Sequence, residues 1–510
     1  MNHKKFKALP PDEKKNEIHY VIGLDIGNDS SAVAFYNLAQ NAAETIDLSG
    51  GYGKPSIPTV MQYVADTKEW VYGEYAILNR GVGAVFSAWL EKMGRFDHLD
   101  VGGRSVSVAS VFSLFIKELL GNVKNINPKA EIVGIVASVP AYFSAPAREE
   151  FTRAFKLAGF EKELICLVPD RECVLAHHYR TMPEKPENTL LIDLGSRELR
   201  GGLYNVAEKD GAINAVTMSS VFSTEISLAA INADIQSLFA SFLPHEAASG
   251  DEFEDHLREF TYRNKDIIFQ KNIRTKPLKL YYNFVYPPVQ HTLTAETVEE
   301  LTAPYVKRFR EFLMDVLEKN LLEQPIAPGD VDAVLCVGGG FEMLWAKEVV
   351  TSVFSKERVH FYKNAKTVIA EGAALIAARE LEITGTTFLL EDKHQLKNDI
   401  GLVDGENFLP LITRNGFWWQ NHSPKLLLVN AEISGEMDLF VGEQTPAGEE
   451  ASVSKISLDN LPPRPKGVTR LEISLSFRSN TELTIKIADA GFGEMFPKTD
   501  YQREFAVSLG

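Results

Sequence analysis

Cysteine is scarce in this 510-residue chain: Cys166, Cys173 and Cys336 are the only three, and none stands in a C-x-x-C or other zinc-ligand spacing. An odd, scattered set argues against a disulfide framework and fits a reducing compartment, with burial as a small apolar side chain the plainest role for each. Long apolar runs are missing too. No stretch of about 18 apolar residues occurs, so no membrane-spanning helix is expected. The opening MNHKKFKALPPDEKKNEI is charged, holds two prolines and lacks the apolar core of a signal peptide. Residues 1–18 are therefore expected to form a disordered tail, and the protein to be cytoplasmic. Positive charge is in deficit: Lys and Arg number 53 against 69 Asp and Glu, a formal net charge of -16. That balance argues against nucleic acid as a partner, because phosphate-backbone affinity rests on dense Lys and Arg.

What is present is enough chain for several domains, and a repeat within it. Residues 21–27, VIGLDIG, and 190–195, LLIDLG, are apolar strands ending in Asp-x-Gly, each followed by a turn and a second strand, at 32–36 and 202–206. One Asp-x-Gly is an ordinary hairpin, since Asp and Gly dominate turns. A third glycine cluster alters the weighing. The apolar run 333–337 leads straight into Gly338, Gly339 and Gly340 and then a helical stretch at 343–350. Strand, glycines and helix form a phosphate-facing arrangement in which backbone N–H groups approach an anion. Two matched hairpins plus this turn indicate a nucleotide cleft, with Asp25 and Asp193 placed at strand ends to hold a hydrated Mg²⁺. Helical periodicity at 144–157 and 295–322, alternating with strands from about 19 to 384, gives an α/β class with mixed sheets.

Beyond Gly385 the texture changes to short strands separated by turn residues. Leu471, Ile473, Leu475 and Phe477 alternate with polar residues, as do Leu483, Ile485 and Ile487, which reads as a hairpin with one buried face. With strands at 426–429 and 437–441, a C-terminal β-sandwich is expected.

These residues resemble the seventy-kilodalton heat-shock (DnaK-type) family over nearly the whole chain. GLDIGNDSSAVAF at 23–35 is similar to the family's first phosphate hairpin, GIDLGTTNSCVAV, and VPAYF at 139–143 is its VPAYF segment. LLIDLGSRELRGGLYNV at 190–206 resembles the second hairpin, built on DLGGGTFD, and VLCVGGGFEM at 334–343 the adenosine motif, VLVGGSTRIP. SLDNLPPRPKGVTRLEISLSFRSNTELTIKIAD at 457–489 resembles a substrate-domain run that a sugar kinase or actin would not have. The resemblance implies an actin-like duplicated ATPase fold at 19–384, with lobe I at about 19–188 and lobe II at about 189–384. A linker at 385–396 and a peptide-binding β-sandwich at 397–510 would follow, without the family's helical lid. It implies catalytic and metal-organising roles for Asp25 and Asp193. Gly27, Asn28, Asp29, Gly195, Ser196, Arg197, Gly338, Gly339, Gly340 and Glu342 would surround the nucleotide, and Lys265 would hold the nucleoside, a solvated helix charge being its equal alternative. ATP or ADP with Mg²⁺ are the implied cofactors. Unfolded or extended peptide segments, with co-chaperones, are the implied partners, and neither nucleic acid nor membrane.

The departures cluster in the cleft. Asn28 and Asp29 replace two threonines, and a carboxylate beside phosphate oxygens repels them unless a cation intervenes. The family's Gly-Gly-Gly-Thr-x-Asp reads Gly195-Ser196-Arg197-Glu198-Leu199-Arg200; Arg197 either supplies phosphate-binding charge or fills the site. Two adenine-flanking arginines read Asp266 and Glu342, and a ribose-contacting glutamate reads Tyr262. In VFSAWLEKMGR at 85–95 the position of the catalytic lysine falls on Trp89 or Leu90, with Lys92 a neighbour. Slow or impaired hydrolysis is expected, since phosphoryl transfer depends on positioning and electrostatics. The alternative is a pseudo-ATPase peptide-binding or scaffold protein that no longer hydrolyses ATP. Val403, Met437 and Leu439 fall near the family's peptide pocket, or are core residues. Residues 388–392, FLLED, resemble the interdomain linker, or begin the second domain. Trp418 and Trp419 are candidates for an exposed surface, with burial the default.

Overall fold

The computed structural model describes residues 19–37, 42–49, 53–78, 83–94, 97–140, 143, 145–161, 164–180, 183, 185–243, 253–268, 276–318, 325–362, 364–365, 367–381, 387–391, 396, 398–405, 407–413, 424–445, 448, 450–479 and 482–509. The expected N-terminal tail, Trp418, Trp419 and the side chains of Lys265 and Asp266 lie outside the described residues. The chain divides into two compact units, Met1–Glu391 and Asp392–Gly510.

In the first unit, strands that are apolar along their whole length become central strands covered on both faces, as uninterrupted Val, Ile and Leu require. β1 (His19–Ile26), β2 (Ser30–Asn37), β3 (Ala42–Thr45), β4 (Glu131–Val139) and β5 (Ile165–Pro169) lie in the order β5-β4-β1-β2-β3. β6 (Glu187–Leu194), β7 (Leu199–Lys209), β8 (Ala212–Ser223), β9 (Ala333–Val337), β10 (Val359–Phe361) and β11 (Thr387–Glu391) lie in the order β10-β9-β6-β7-β8-β11. The polarities match strand for strand. β1 is parallel to β4 and antiparallel to β2, while β6 is parallel to β9 and antiparallel to β7. The repeat seen in the sequence is thus a repeat of sheet topology.

Each sheet also ends its repeat with a helix, Asp170–His178 after β5 and Val368–Glu380 after β10. Small residues let these two helices lie almost backbone to backbone. A Cβ on Gly372 would stand 1.9 Å from the Cys173 carbonyl oxygen, and one on Gly23 of β1 would stand 2.1 Å from that of Ala370. Val21, Ala34, Val174, Leu191, Tyr204 and Ala373 share one core, which joins the two sheets through these helices. Gly372→Ala must therefore push the helices apart. Its expected cost is about 1–3 kcal/mol in urea unfolding, and an unchanged midpoint would contradict this packing.

The long helix Ala295–Glu318 buries Val298, Thr302, Tyr305, Phe309, Phe312 and Val316, one stripe at helical spacing. The cysteines are all buried.

The second unit holds two antiparallel sheets. β12 (Asp399–Asp404), β13 (Asn407–Ile412), β15 (Met437–Gln444) and β16 (Glu450–Leu458) form the order β13-β12-β15-β16. β14 (Lys425–Val429), β17 (Thr469–Ser479), β18 (Glu482–Asp489) and β19 (Gln502–Ser508) form β14-β17-β18-β19. Ile400, Leu439 and Val441 of one sheet share a core with Leu471, Ile473, Leu475, Ile485 and Ile487 of the other, so the alternation at 471–487 marks a half-buried hairpin.

Candidate functional site

The two Asp-x-Gly turns are built alike. Gly27 N–H donates to the Ser30 carbonyl at 3.0 Å and Gly195 N–H to that of Glu198 at 3.1 Å, so each hairpin closes over the same number of residues. Asp25 is then the next-to-last residue of β1, opposite Ala32, and Asp193 that of β6, opposite Arg200. The third glycine turn follows β9, the parallel neighbour of β6. Gly338 has φ 89°, and a Cβ there would stand 2.4 Å from Asp193 Oδ1. A side chain at 338 would thus be strained and would strike the carboxylate. The three elements border one cleft of about 950 Å³, a size that suits a nucleotide. Asp25, Gly27, Asn28, Asp29, Asp193, Gly195, Ser196, Arg197, Gly338, Gly339, Glu342 and Tyr262 line it. Gly340 does not: it is buried against Leu194, where a Cβ would stand 2.1 Å from Cγ, so its role is packing. Lys265 places its backbone in the helix Phe253–Ile268.

The cleft floor is costly for negative charge. Burial pushes Asp25 up to about 7; the Ser138 hydroxyl, donating to Asp25 Oδ1 at 2.8 Å, opposes the shift, while Asp193 and Asp170 add to it. Burial pushes Asp193 up to about 6, against the pull of Arg200. Two adjacent, undercompensated carboxylates suit a divalent cation. Among the described residues no group of three or more His, Cys, Asp or Glu could hold a metal by itself. Asp25 and Asp193 would suit a hard cation such as Mg²⁺, which takes few carboxylates and keeps several waters.

Several charged residues at the cleft pair with carboxylates of the chain itself. Arg200 is held between Asp170, at 2.5 Å, and Glu198. Arg197 pairs with Glu91 at 2.7 Å. Asn28 accepts from Leu90 N–H at 3.1 Å, and Asp29 is exposed. Trp89 and Leu90 are core residues, and Lys92 donates to the Ser87 and Ala88 carbonyls of its own turn. Neither Trp89 nor Lys92 lines the cleft. Ser138 and Asp170 also line the cleft and were not expected there. Asp170 was open to inference from the repeat, because it begins the helix after β5.

The three proposed peptide-site residues do not converge. Val403 pairs with Phe440, whereas Met437 and Leu439 alternate with Phe440 on β15 and so face the other side. Leu439 is 7% exposed and belongs to the core.

Fold and cleft together define an α/β unit with two sheets of matching topology and two carboxylates lining one cleft, accompanied by an all-β unit. Residues 42–202 match the C-terminal part of a family of unknown function (DUF5716), and residues 402–509 a domain of unknown function (DUF8552). Over 93% of its length the chain is 26% identical to the chaperone protein DnaK of Picrophilus torridus, covering 76% of that protein. It is 23% identical to DnaK of Thermosipho africanus over 94% of its length, covering 79% of the relative, and 25% identical to that of Mycoplasmoides gallisepticum over 93%, again covering 79%. The chain is thus a distant relative of the DnaK chaperones along nearly its whole length. Among the described residues no helix is long and apolar enough to cross a membrane.

Proposed function

We propose that this chain is a DnaK-like chaperone with an actin-like ATPase unit and a β-sandwich, in which ATP binding regulates capture of extended apolar peptide segments and hydrolysis is slow. The observation that carries the reading is the pair of matched hairpins that bring Asp25 and Asp193 to one cleft with Gly338 beside them. The backbones of Gly27, Gly195, Gly338 and Gly339 would receive the phosphates, with Tyr262 and Glu342 toward the nucleoside. Mg²⁺, when bound, would neutralise phosphate charge, and Asp25 and Asp193 would hold its water shell. β11 offers a route for coupling: Phe388 is buried and the strand pairs in parallel with β8, so the linker-like residues extend the lobe II sheet. Ligand-dependent detachment of this strand would link cleft and peptide affinity reciprocally. Millimolar MgATP or MgADP is expected to raise the thermal midpoint by several degrees, as binding to the native state alone requires. No shift with either would contradict the proposal.

A pseudo-ATPase is favoured by one observation. Arg200 at the cleft is enclosed by the carboxylates of Asp170 and the buried Glu198, which leaves that cation committed before any phosphate arrives. Single-turnover hydrolysis that Asp193→Ala abolishes would exclude this second reading.

A further inference from the structure

Arg197 and Arg200 occupy the same hairpin but differ in availability. Arg200 is half-buried between Asp170 and Glu198, and Glu198 is itself only 8% exposed. Arg197 meets a single carboxylate in an open setting, its side chain 49% and that of Glu91 43% exposed. The bond joins two separate elements at the cleft: Arg197, which lines it, lies in the turn between β6 and β7, whereas Glu91 lies in the short helix Trp89–Lys92, beside the lining residue Leu90. Asn28 of the first hairpin anchors that helix by accepting from Leu90 N–H, and its amide lies 3.5 Å from the same Glu91 oxygen that Arg197 binds. One carboxylate oxygen therefore bridges the two turns that face the phosphate end of the cleft.

Resting on the nucleotide reading, we propose that Arg197 is a phosphate-binding residue held in reserve by Glu91, whose carboxylate substitutes for the ligand and ties the two elements together in its absence. A carboxylate and a phosphate make the same charge-assisted demand on a guanidinium. An exposed ion pair contributes little and exchanges readily, while a polyphosphate carries more charge and more acceptor oxygens than Glu91. The ligand thus takes Arg197, and Glu91, left beside the phosphates, opposes it. Glu91 lowers affinity for anything phosphorylated and leaves affinity for the bare nucleoside alone.

The test is calorimetric titration of the full chain and its Glu91→Gln and Arg197→Gln variants with MgATP, MgADP and adenosine, with hydrogen exchange of residues 195–200 followed in the ligand-free proteins. Glu91→Gln is expected to bind both nucleotides roughly five- to tenfold more tightly, Arg197→Gln to bind them more weakly, and adenosine to be indifferent to either change. Ligand-free Glu91→Gln should exchange faster than wild type at 195–200. Equal or weaker nucleotide binding by Glu91→Gln, with wild type still binding, overturns the reserve role and leaves the cleft standing. No nucleotide binding by any of the three removes the nucleotide reading and this inference with it.

Discussion

Asp193→Asn is expected to raise the thermal midpoint of the ligand-free protein by a few degrees near pH 7.5, to leave it nearly unchanged near pH 4, and to abolish Mg²⁺-dependent stabilisation by ATP. Burial lifts the Asp193 carboxyl from 3.8 to about 6. Between those values the native state holds a proton that the unfolded chain has released, so stability falls as pH rises and the full penalty stands above about pH 6. The cleft is open to water, which keeps the penalty to about 1–2 kcal/mol rather than the full shift. An amide carries no such charge. It also cannot neutralise a cation, so the gain in stability comes with loss of function. Asp25→Asn should behave alike, with its window extending to about pH 7, since burial raises Asp25 further. Scanning fluorimetry of the three proteins across pH checks this. A loss of stability at every pH in Asp193→Asn would mean that the carboxylate is structural.

The second large effect belongs to the all-β unit. Asp489 is 1% exposed and receives two bonds from Arg464, at 2.8 and 2.7 Å, plus the Gly491 N–H at 3.0 Å and both the N–H and hydroxyl of Thr499 at 2.9 Å. Burial alone would push this carboxyl up, but the bonds from Arg464, Gly491 and Thr499 outweigh it and hold it below the usual range. Asp489→Ala leaves a guanidinium that is 4% exposed without its counter-ion. Removing one partner of such a pair costs about 3–5 kcal/mol. Hydrogen exchange in the full chain should accelerate throughout 469–489 by two to three orders of magnitude, roughly the factor that energy implies, while β1 and β6 stay protected. Acceleration confined to the 491–499 loop would show that the pair is local and does not hold the sheets.

The sequence made some of this legible because local chemistry dictated it. An apolar strand that ends in Asp-x-Gly can form few other turns, and its recurrence at 190–195 exposed the repeat before any pairing was known. Alternation at 471–487 likewise defined a half-buried hairpin. The polar contacts of the cleft were not legible. Glu91 and Arg197 meet only because the fold brings the Trp89–Lys92 helix to the turn between β6 and β7, and neither carries a local signal naming the other. Gly340 looked like its neighbours in a run of three glycines, yet Leu194 packs where its side chain would be. Among the expected peptide-site residues, strand parity separates Val403 from Leu439. Val403 is paired with Phe440, one residue away from Leu439, and a shift of one residue in a strand changes the face.

If the matched hairpins form one cleft for a magnesium nucleotide, ATP must bind there with Mg²⁺ and through both aspartates. Isothermal titration of the full chain with ATP, with and without Mg²⁺, tests it most directly. Saturable binding of one ATP per chain is expected, weaker when Mg²⁺ is removed and lost in Asp25→Asn and Asp193→Asn alike. No heat of binding at millimolar ATP, or binding indifferent to both substitutions, would contradict it.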